Sequence, residues 1–384
     1  MVQGKAVGTL TQSQGEHVFN YESSDDRAFV SLTMPVRPQS YVTRALAPIF
    51  EMHLPEGYLL AIIKKHFSKL TDTDELGLLS LLSESIWGRV HYRNQPKEAS
   101  DTLTLDALRH PQSADLFQAL VARFALQSPL SGVQPKVLAQ IEDKASLKTA
   151  SVIVKAWGDD YPELALNESL CMTAVRAAGI PVPEFYLSDD RRLFIMQRFD
   201  VLADGHTLGF EDLCVLQGKQ RDHKYQGSYE SVARSIKQFV SPHHRRDSLQ
   251  QFYKMMLLNY WLQNGDAHLK NFAVLYEDAS NIRLAPAYDV VCTTVYVPQD
   301  VPALNMAGSK RWHSQATLLS FGVDHCELTL KEAKQCMAAC IKGLALLAEQ
   351  IQQIRSQPMS PPQQQLVDHL HRLVQAQLLQ HVTH

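Results

Sequence analysis

Between Asp247 and Gln263 the apolar residues Leu249, Phe252, Tyr253, Met256, Leu257, Tyr260 and Trp261 recur at three- and four-residue intervals. That period predicts a deeply packed helix, with Asn264-Gly265 as its end and turn. Beyond it the period shortens. Phe272-Ala273-Val274-Leu275-Tyr276 and Asn281-Ile282-Arg283-Leu284 read as two strands about a polar loop of Glu277, Asp278, Ala279 and Ser280. Folding this hairpin brings its outer ends together, so Asn271 and Asp289 are expected to be neighbours. Further upstream, Ser151-Val152-Ile153-Val154-Lys155 is a β-branched run. It precedes a helical pattern of Leu164, Leu166, Leu170, Cys171, Val175 and Ala178, closed by Gly179 and Pro181. Val137-Leu138-Ala139-Gln140-Ile141 and Arg192 to Asp200 read as further strands. Near the C-terminus, Thr329-Leu330-Lys331-Glu332 has the form of a capping box opening a helix. Pro361-Pro362 then separates it from a last helix carrying Leu366, Leu370, Leu373 and Leu378, expected to pack on the rest of the chain.

The converging hairpin ends carry chemistry. Asn264-Gly265-Asp266-Ala267-His268-Leu269-Lys270-Asn271, followed at a distance by Tyr288-Asp289-Val290, supplies an acid, an amide five residues later and a second acid. Phosphoryl transfer from a magnesium nucleotide requires such a set. Magnesium takes oxygen ligands and retains water and phosphate, so the Asp289 carboxylate and the Asn271 amide oxygen are an adequate protein contribution. Asp266, entering the hairpin, is placed to take or orient the proton of an attacking hydroxyl. Each residue type alone also suits a turn or strand end; the combination on one hairpin favours a site. His268 and Lys270 read as a loop histidine and a solvated lysine.

A kinase also needs a phosphate-covering loop, a strand lysine and a helix acid upstream. Ser128-Pro129-Leu130-Ser131-Gly132-Val133-Gln134-Pro135-Lys136 offers a short loop whose backbone N–H groups, at Gly132 and Val133, could face phosphate oxygens. Lys155 ends the β-branched run, and Glu168 on the following helix is placed to hold its ammonium against the α- and β-phosphates. Gln197 and Phe199 stand where a hinge would offer backbone groups to adenine. Loop, lysine, acid, hinge, base, metal amide and metal acid thus follow one another along the chain.

Composition narrows the setting. The chain has 384 residues, 45% of them hydrophobic and 20% charged, with a formal charge of −3. It is long enough for more than one core, and no overall basic field draws it to nucleic acid. No direct nucleic-acid binding is expected, and His243-His244-Arg245-Arg246 reads as a solvated loop. No apolar run approaches a membrane span and no secretory signal opens the chain, so a cytoplasmic location is expected. Six scattered cysteines without CxxC spacing argue against a disulfide framework or a zinc site. The polar stretch from Asn94 to Ser113 is the best boundary. It gives a small mixed α/β domain over 1–100, a kinase small lobe over 101–200 and a mostly helical large lobe over 201–384. The fold class expected is α+β, two-lobed and protein-kinase-like.

The chain resembles the HipA family of serine/threonine kinases, toxin components of bacterial toxin–antitoxin systems. Ser131-Gly132-Val133-Gln134-Pro135-Lys136, Asn167-Glu168-Ser169-Leu170-Cys171-Met172, Ile180-Pro181-Val182-Pro183, Gln197-Arg198-Phe199-Asp200 and the Asn264–Phe272 and Tyr288–Val290 motifs carry the resemblance. Gly4 to Leu10, Leu54-Pro55-Glu56-Gly57 and Leu76-Gly77-Leu78-Leu79 extend it to the small N-terminal domain. The resemblance implies ATP and Mg2+ as cofactors, Asp266 as base, Asn271 and Asp289 as metal ligands and Lys155 on the phosphates. It also implies a cytoplasmic protein substrate, family targets including aminoacyl-tRNA synthetases, and a small helix-turn-helix antitoxin as partner. Family members phosphorylate a serine of their own phosphate loop. Pro129 stands where that serine is usual, so Ser131 is the first candidate for autophosphorylation and Ser128 the second. A silenced binding module in an antitoxin–DNA complex and a small-molecule kinase are the alternatives.

Overall fold

A computed structural model describes residues 1–54, 74–81, 83, 86, 88–92, 104–112, 136–143, 148–156 and 161–382. The chain divides into two compact units. The first comprises Met1–Ala156, Ser188–His223 and Val274–Asn281; the second comprises Trp157–Leu187, Lys224–Ala273 and Ile282–His384.

The first unit begins with a meander of β1 (Gly8–Ser13), β2 (Glu16–Tyr21) and β3 (Tyr41–Thr43), antiparallel throughout. Gly15, left-handed at φ 79°, makes the tight β1–β2 turn that a side chain would strain. Phe19 points from β2 into a core with Phe50, their rings 5.3 Å apart, and Leu46 and Leu54 are fully buried beside them. In a second sheet β5 (Lys148–Ala156) pairs antiparallel with β4 (Lys136–Asp143) on one side and with β6 (Leu193–Gln197) on the other. These are the strands the β-branched runs predict. The stretch expected as a boundary is described only over 104–112, where Thr104 caps the short helix Leu105–Arg109 by accepting from Ala107 N.

β7 (Gly209–Asp212) and β8 (Ala273–Tyr276) meet the N-terminal segment at a buried carboxyl. Glu211 accepts from Ser31 Oγ at 2.7 Å, from Leu32 N at 2.8 Å and from Tyr276 OH at 2.5 Å. Burial pushes its pKa up to about 7 against these three donors. Arg89 lies over the Phe29 ring, 4.2 Å from its centre, and donates to the Phe29 carbonyl, closing this polar cluster with aromatic cover.

The second unit is helical apart from β9 (Ile282–Leu284) and short extended pieces. Its helices are α1 (Leu164–Ala177), α2 (Tyr229–Phe239), α3 (Pro242–Trp261), α4 (Gln315–Asp324), α5 (Leu330–Arg355) and α6 (Pro361–Val382). All seven apolar residues predicted to line α3 are buried. Phe252 stands edge-on to Phe272 at 5.4 Å, and Tyr229 to Tyr260 at 5.5 Å. His243 to Arg246 form the opening turns of α3, where Pro242 suits the first helical position, and not the loop expected. Arg246 is tied to Glu332 of α5. The Thr329–Glu332 capping box is present, and α6 packs on α5. The inner stripe of α6 is Leu366, Val367, Leu370 and Val374; Leu373 and Leu378, expected there, are only half-buried.

Candidate active site

α3 ends at Trp261, and the chain turns at Gln263, which is left-handed at φ 52°. Sequence reasoning gave that turn to Asn264-Gly265. The glycine has another reason to be there. A Cβ on Gly265 would stand 2.0 Å from the Asp300 carboxylate, so no larger residue fits while Asp300 keeps its place. Gly265 N donates to Thr293 Oγ1 at 2.8 Å, and the Thr293 hydroxyl donates in turn to Asp300. Asn264, 1% exposed, links three pieces of chain. Its amide nitrogen donates to Asn259 Oδ1 at 2.8 Å, its oxygen accepts from Asp266 N at 3.1 Å, and the Asp289 carbonyl lies 3.5 Å away.

Asp266 follows this brace with its side chain 46% exposed. Its Oδ1 accepts from Tyr225 OH at 2.6 Å, and His268 Nε2 lies 3.9 Å from the same oxygen. The loop then makes one tight turn over Leu269–Asn271. Asn271 Oδ1 accepts from His268 N at 3.0 Å while its Nδ2 donates to Asp289 Oδ2, also at 3.0 Å. Asn271 and Asp289 are brought together as the hairpin reading predicts. The closing contact is Ala285 N donating to Ala273 O at 2.8 Å, and Tyr288 OH donates to the Lys270 carbonyl. Asp289 is left-handed at φ 62°, a conformation that aspartate tolerates better than most residues but that still costs energy.

The segment after Asp289 is fastened to α1. Asn167, fully buried, donates to the Cys292 carbonyl at 2.8 Å and accepts from Cys292 N at 2.9 Å. The next residue of α1, Glu168, is 1% exposed in the second turn of the helix. Lys155 lies on β5 opposite Phe194, 3% exposed, with its ammonium 5.8 Å from the Phe194 ring centre. Gln197 ends β6, and Phe199, half-buried, packs against Phe210 at 5.9 Å. Ser128, Ser131, Gly132 and Val133 lie outside the described residues.

The donor set of the Asn271–Asp289 pair is all oxygen. The amide oxygen has a lone pair beyond the one given to His268 N, and the carboxylate has a second oxygen. Among the described residues no group of three or more histidines, cysteines, aspartates or glutamates could hold a metal. A hard cation completed by phosphate and water fits two such ligands; zinc does not. All six cysteines are free and buried, and burial pushes the Cys171 and Cys292 thiols near the site upward, which removes them as nucleophiles. Sequence reasoning missed Asn264 as a brace, and Tyr225, Thr293 and Asp300 altogether. Gly265 carried a faint signal in a glycine beside the acid; the other three lie at variable distances with no pattern to mark them.

Comparison with known proteins identifies the family. The sequence profile described as HipA-like C-terminal domain matches residues 128–350, and that described as HipA N-terminal domain matches residues 1–93. Y4dM of Sinorhizobium fredii, named as a candidate kinase, is 28% identical over 80% of this chain and 80% of its own length. Y4mE of the same organism, named likewise, is 26% identical over 86% of this chain and 84% of its own. A solved structure of a Shewanella oneidensis complex of HipA, HipB and operator DNA contains a chain of the same fold. It matches with a TM-score of 0.71 at 17% identity, over 99% of this chain and 96% of that one.

Proposed function

The chain belongs to the HipA family, and from that premise we propose that it is a serine/threonine protein kinase using ATP and Mg2+. The observation that carries the reading is the Asn271–Asp289 contact at 3.0 Å, on the loop that presents Asp266 five residues earlier. Magnesium nucleotide, when bound, supplies the transferable phosphoryl group and neutralises its charge. Asn271 and Asp289, in contact through Asn271 Nδ2 and Asp289 Oδ2, would hold the metal through oxygen. Asp266 orients the acceptor hydroxyl and accepts its proton, an effect typically worth about 10²–10⁴ in rate. Lys155 and Glu168 would serve the phosphates, and the backbones of Gln197 and Phe199 would bond adenine. Gly132 and Val133 cover the phosphates, with Ser131, then Ser128, as the autophosphorylated serine.

In this reading 1–100 is the small N-terminal domain, 101–200 the small lobe and 201–384 the helical large lobe of a two-lobed kinase. A helix-turn-helix antitoxin is the expected partner, as the Shewanella oneidensis HipA is found with HipB and operator DNA. The substrate is a cytoplasmic protein of the class that includes aminoacyl-tRNA synthetases. No helix among the described residues is long and apolar enough to cross a membrane. The test supplies γ-labelled ATP to the protein in a bacterial lysate. Label in a protein, absent with Asp266→Ala, is expected; label confined to metabolites overturns the protein-kinase reading.

A further inference from the structure

A cavity of about 560 Å³ lies wholly within the second unit, between α6 and the segment that follows Asp289. That is room for a small organic molecule. Val295, Pro298 and Leu373 give it apolar walls, and Arg372, which also lines it, is exposed, so the cavity opens to solvent there. Its buried polar side is tied to the candidate active site. The hydroxyl of Thr294, 3% exposed, donates to Gln263 Oε1 at 2.9 Å and, with its one proton so used, accepts from His369 Nε2 at 2.9 Å. Gln263 is the left-handed residue after α3, and its carbonyl accepts from Thr293 N at 3.2 Å. Thr293 Oγ1 in turn accepts from Gly265 N at 2.8 Å. A chain of hydrogen bonds therefore runs from the cavity to the residue before Asp266.

We propose that this cavity binds a small carboxylate with an apolar body, the carboxylate on the Arg372 guanidinium and the body against Val295, Pro298 and Leu373, and that its occupancy steadies the turn ahead of Asp266. The binding stands by itself; its effect on transfer rests on the reading of Asp266 as base. Arg372 is the cation the cavity offers. Asp368, one turn before it, is drawn to Arg355 Nε at 3.3 Å, while Arg372 Nε donates to the Asp368 backbone carbonyl at 3.3 Å and has no ion pair among the described residues. A guanidinium holds a carboxylate through two parallel bonds. Burial, and then the Arg372 charge, keep the His369 pKa below its ordinary value, so the ring is neutral at neutral pH. One positive charge suits a monoanion better than a phosphate. A ligand that fits the cavity favours the arrangement that contains it, and in that arrangement Thr294 holds Gln263 and Thr293 holds Gly265.

Calorimetric titration of wild type and Arg372→Ala with biphenylacetate, its uncharged amide and inorganic phosphate tests the site. Hydrogen exchange from Asn259 to Asn271 and transfer from γ-labelled ATP are measured with and without the acid. Expected is biphenylacetate bound about fivefold more tightly than the amide or phosphate, with Arg372→Ala reducing the acid to the level of the amide and magnesium–ATP displacing neither. Slower exchange before Asp266 and a kcat raised by about twofold should accompany binding. Equal affinity for acid and amide, phosphate bound as tightly as the acid, an Arg372→Ala that binds like the wild type, displacement by magnesium–ATP, or no binding at all overturns the site. Binding with exchange or kcat unmoved overturns the coupling to the loop. Wild type without transfer, but with the expected binding and exchange, removes the kinase reading and leaves the site standing.

Discussion

At the scale of single residues, the loop is fixed by contacts that fail one atom at a time. Gly265→Ala places a methyl group where the Asp300 carboxylate stands, 2.0 Å away, so Asp300 must leave its bond from Thr293. The expected cost is about 1–3 kcal/mol in stability, with slower transfer because Asp266 is the next residue. Adding Asp300→Ala removes the obstacle, so a double-mutant cycle by denaturant melts should show coupling of opposite sign to the single loss. Additive losses would mean the two residues do not meet. That Asn271 and Asp289 meet was legible because a hairpin between them brings its outer ends together. Tyr225 and Asp300 were not. They reach the loop through tertiary folding, and an isolated tyrosine or aspartate in a polar stretch has no period to reveal its direction.

At the scale of elements, hydrophobic period read the long helices and strands because burial imposes it, and it blurred where polar contacts decide. The seven buried residues of α3 are the clear case. Its ends were misjudged: Pro242 draws His243–Arg246 into the helix, and Gln263 rather than glycine takes the left-handed turn. α5 approaches α1 so closely that a Cβ on Gly343 would stand 2.4 Å from the Ala174 carbonyl oxygen. Gly343→Ala should therefore destabilise by about 1–3 kcal/mol despite its better helix propensity; a raised thermal midpoint would show that the helices can part freely. The Glu211 junction of β7, β8 and the N-terminal segment gives a pH dependence. Its pKa stands at about 7 folded against an ordinary 4.5, so the folded state keeps a proton the unfolded chain releases. The stability linked to that proton is complete below about 4.5 and is lost as pH rises through about 7, by at most about 3 kcal/mol. Glu211→Gln should flatten the fall in melting temperature over this window; an unchanged slope would place the titrating group elsewhere.

At the scale of the whole molecule, family membership was the most legible property, and the profiles of HipA N- and C-terminal domains match residues 1–93 and 128–350. Folding into two compact units was not legible in that form, because the first gathers Ser188–His223 and Val274–Asn281 back to the N-terminal residues. Glu211 and Tyr276 make that return, and their partners Ser31 and Leu32 lie far back in the chain. In the proposed function Asn271 and Asp289 hold the metal nucleotide while Asp266 beside them handles the acceptor proton. Calorimetric titration of magnesium–ATP into wild type, Asp289→Asn and Asp266→Asn tests it most directly. Affinity weakened about tenfold or more by Asp289→Asn and kept by Asp266→Asn is the predicted result; the opposite ranking would contradict the assignment of ligand and base.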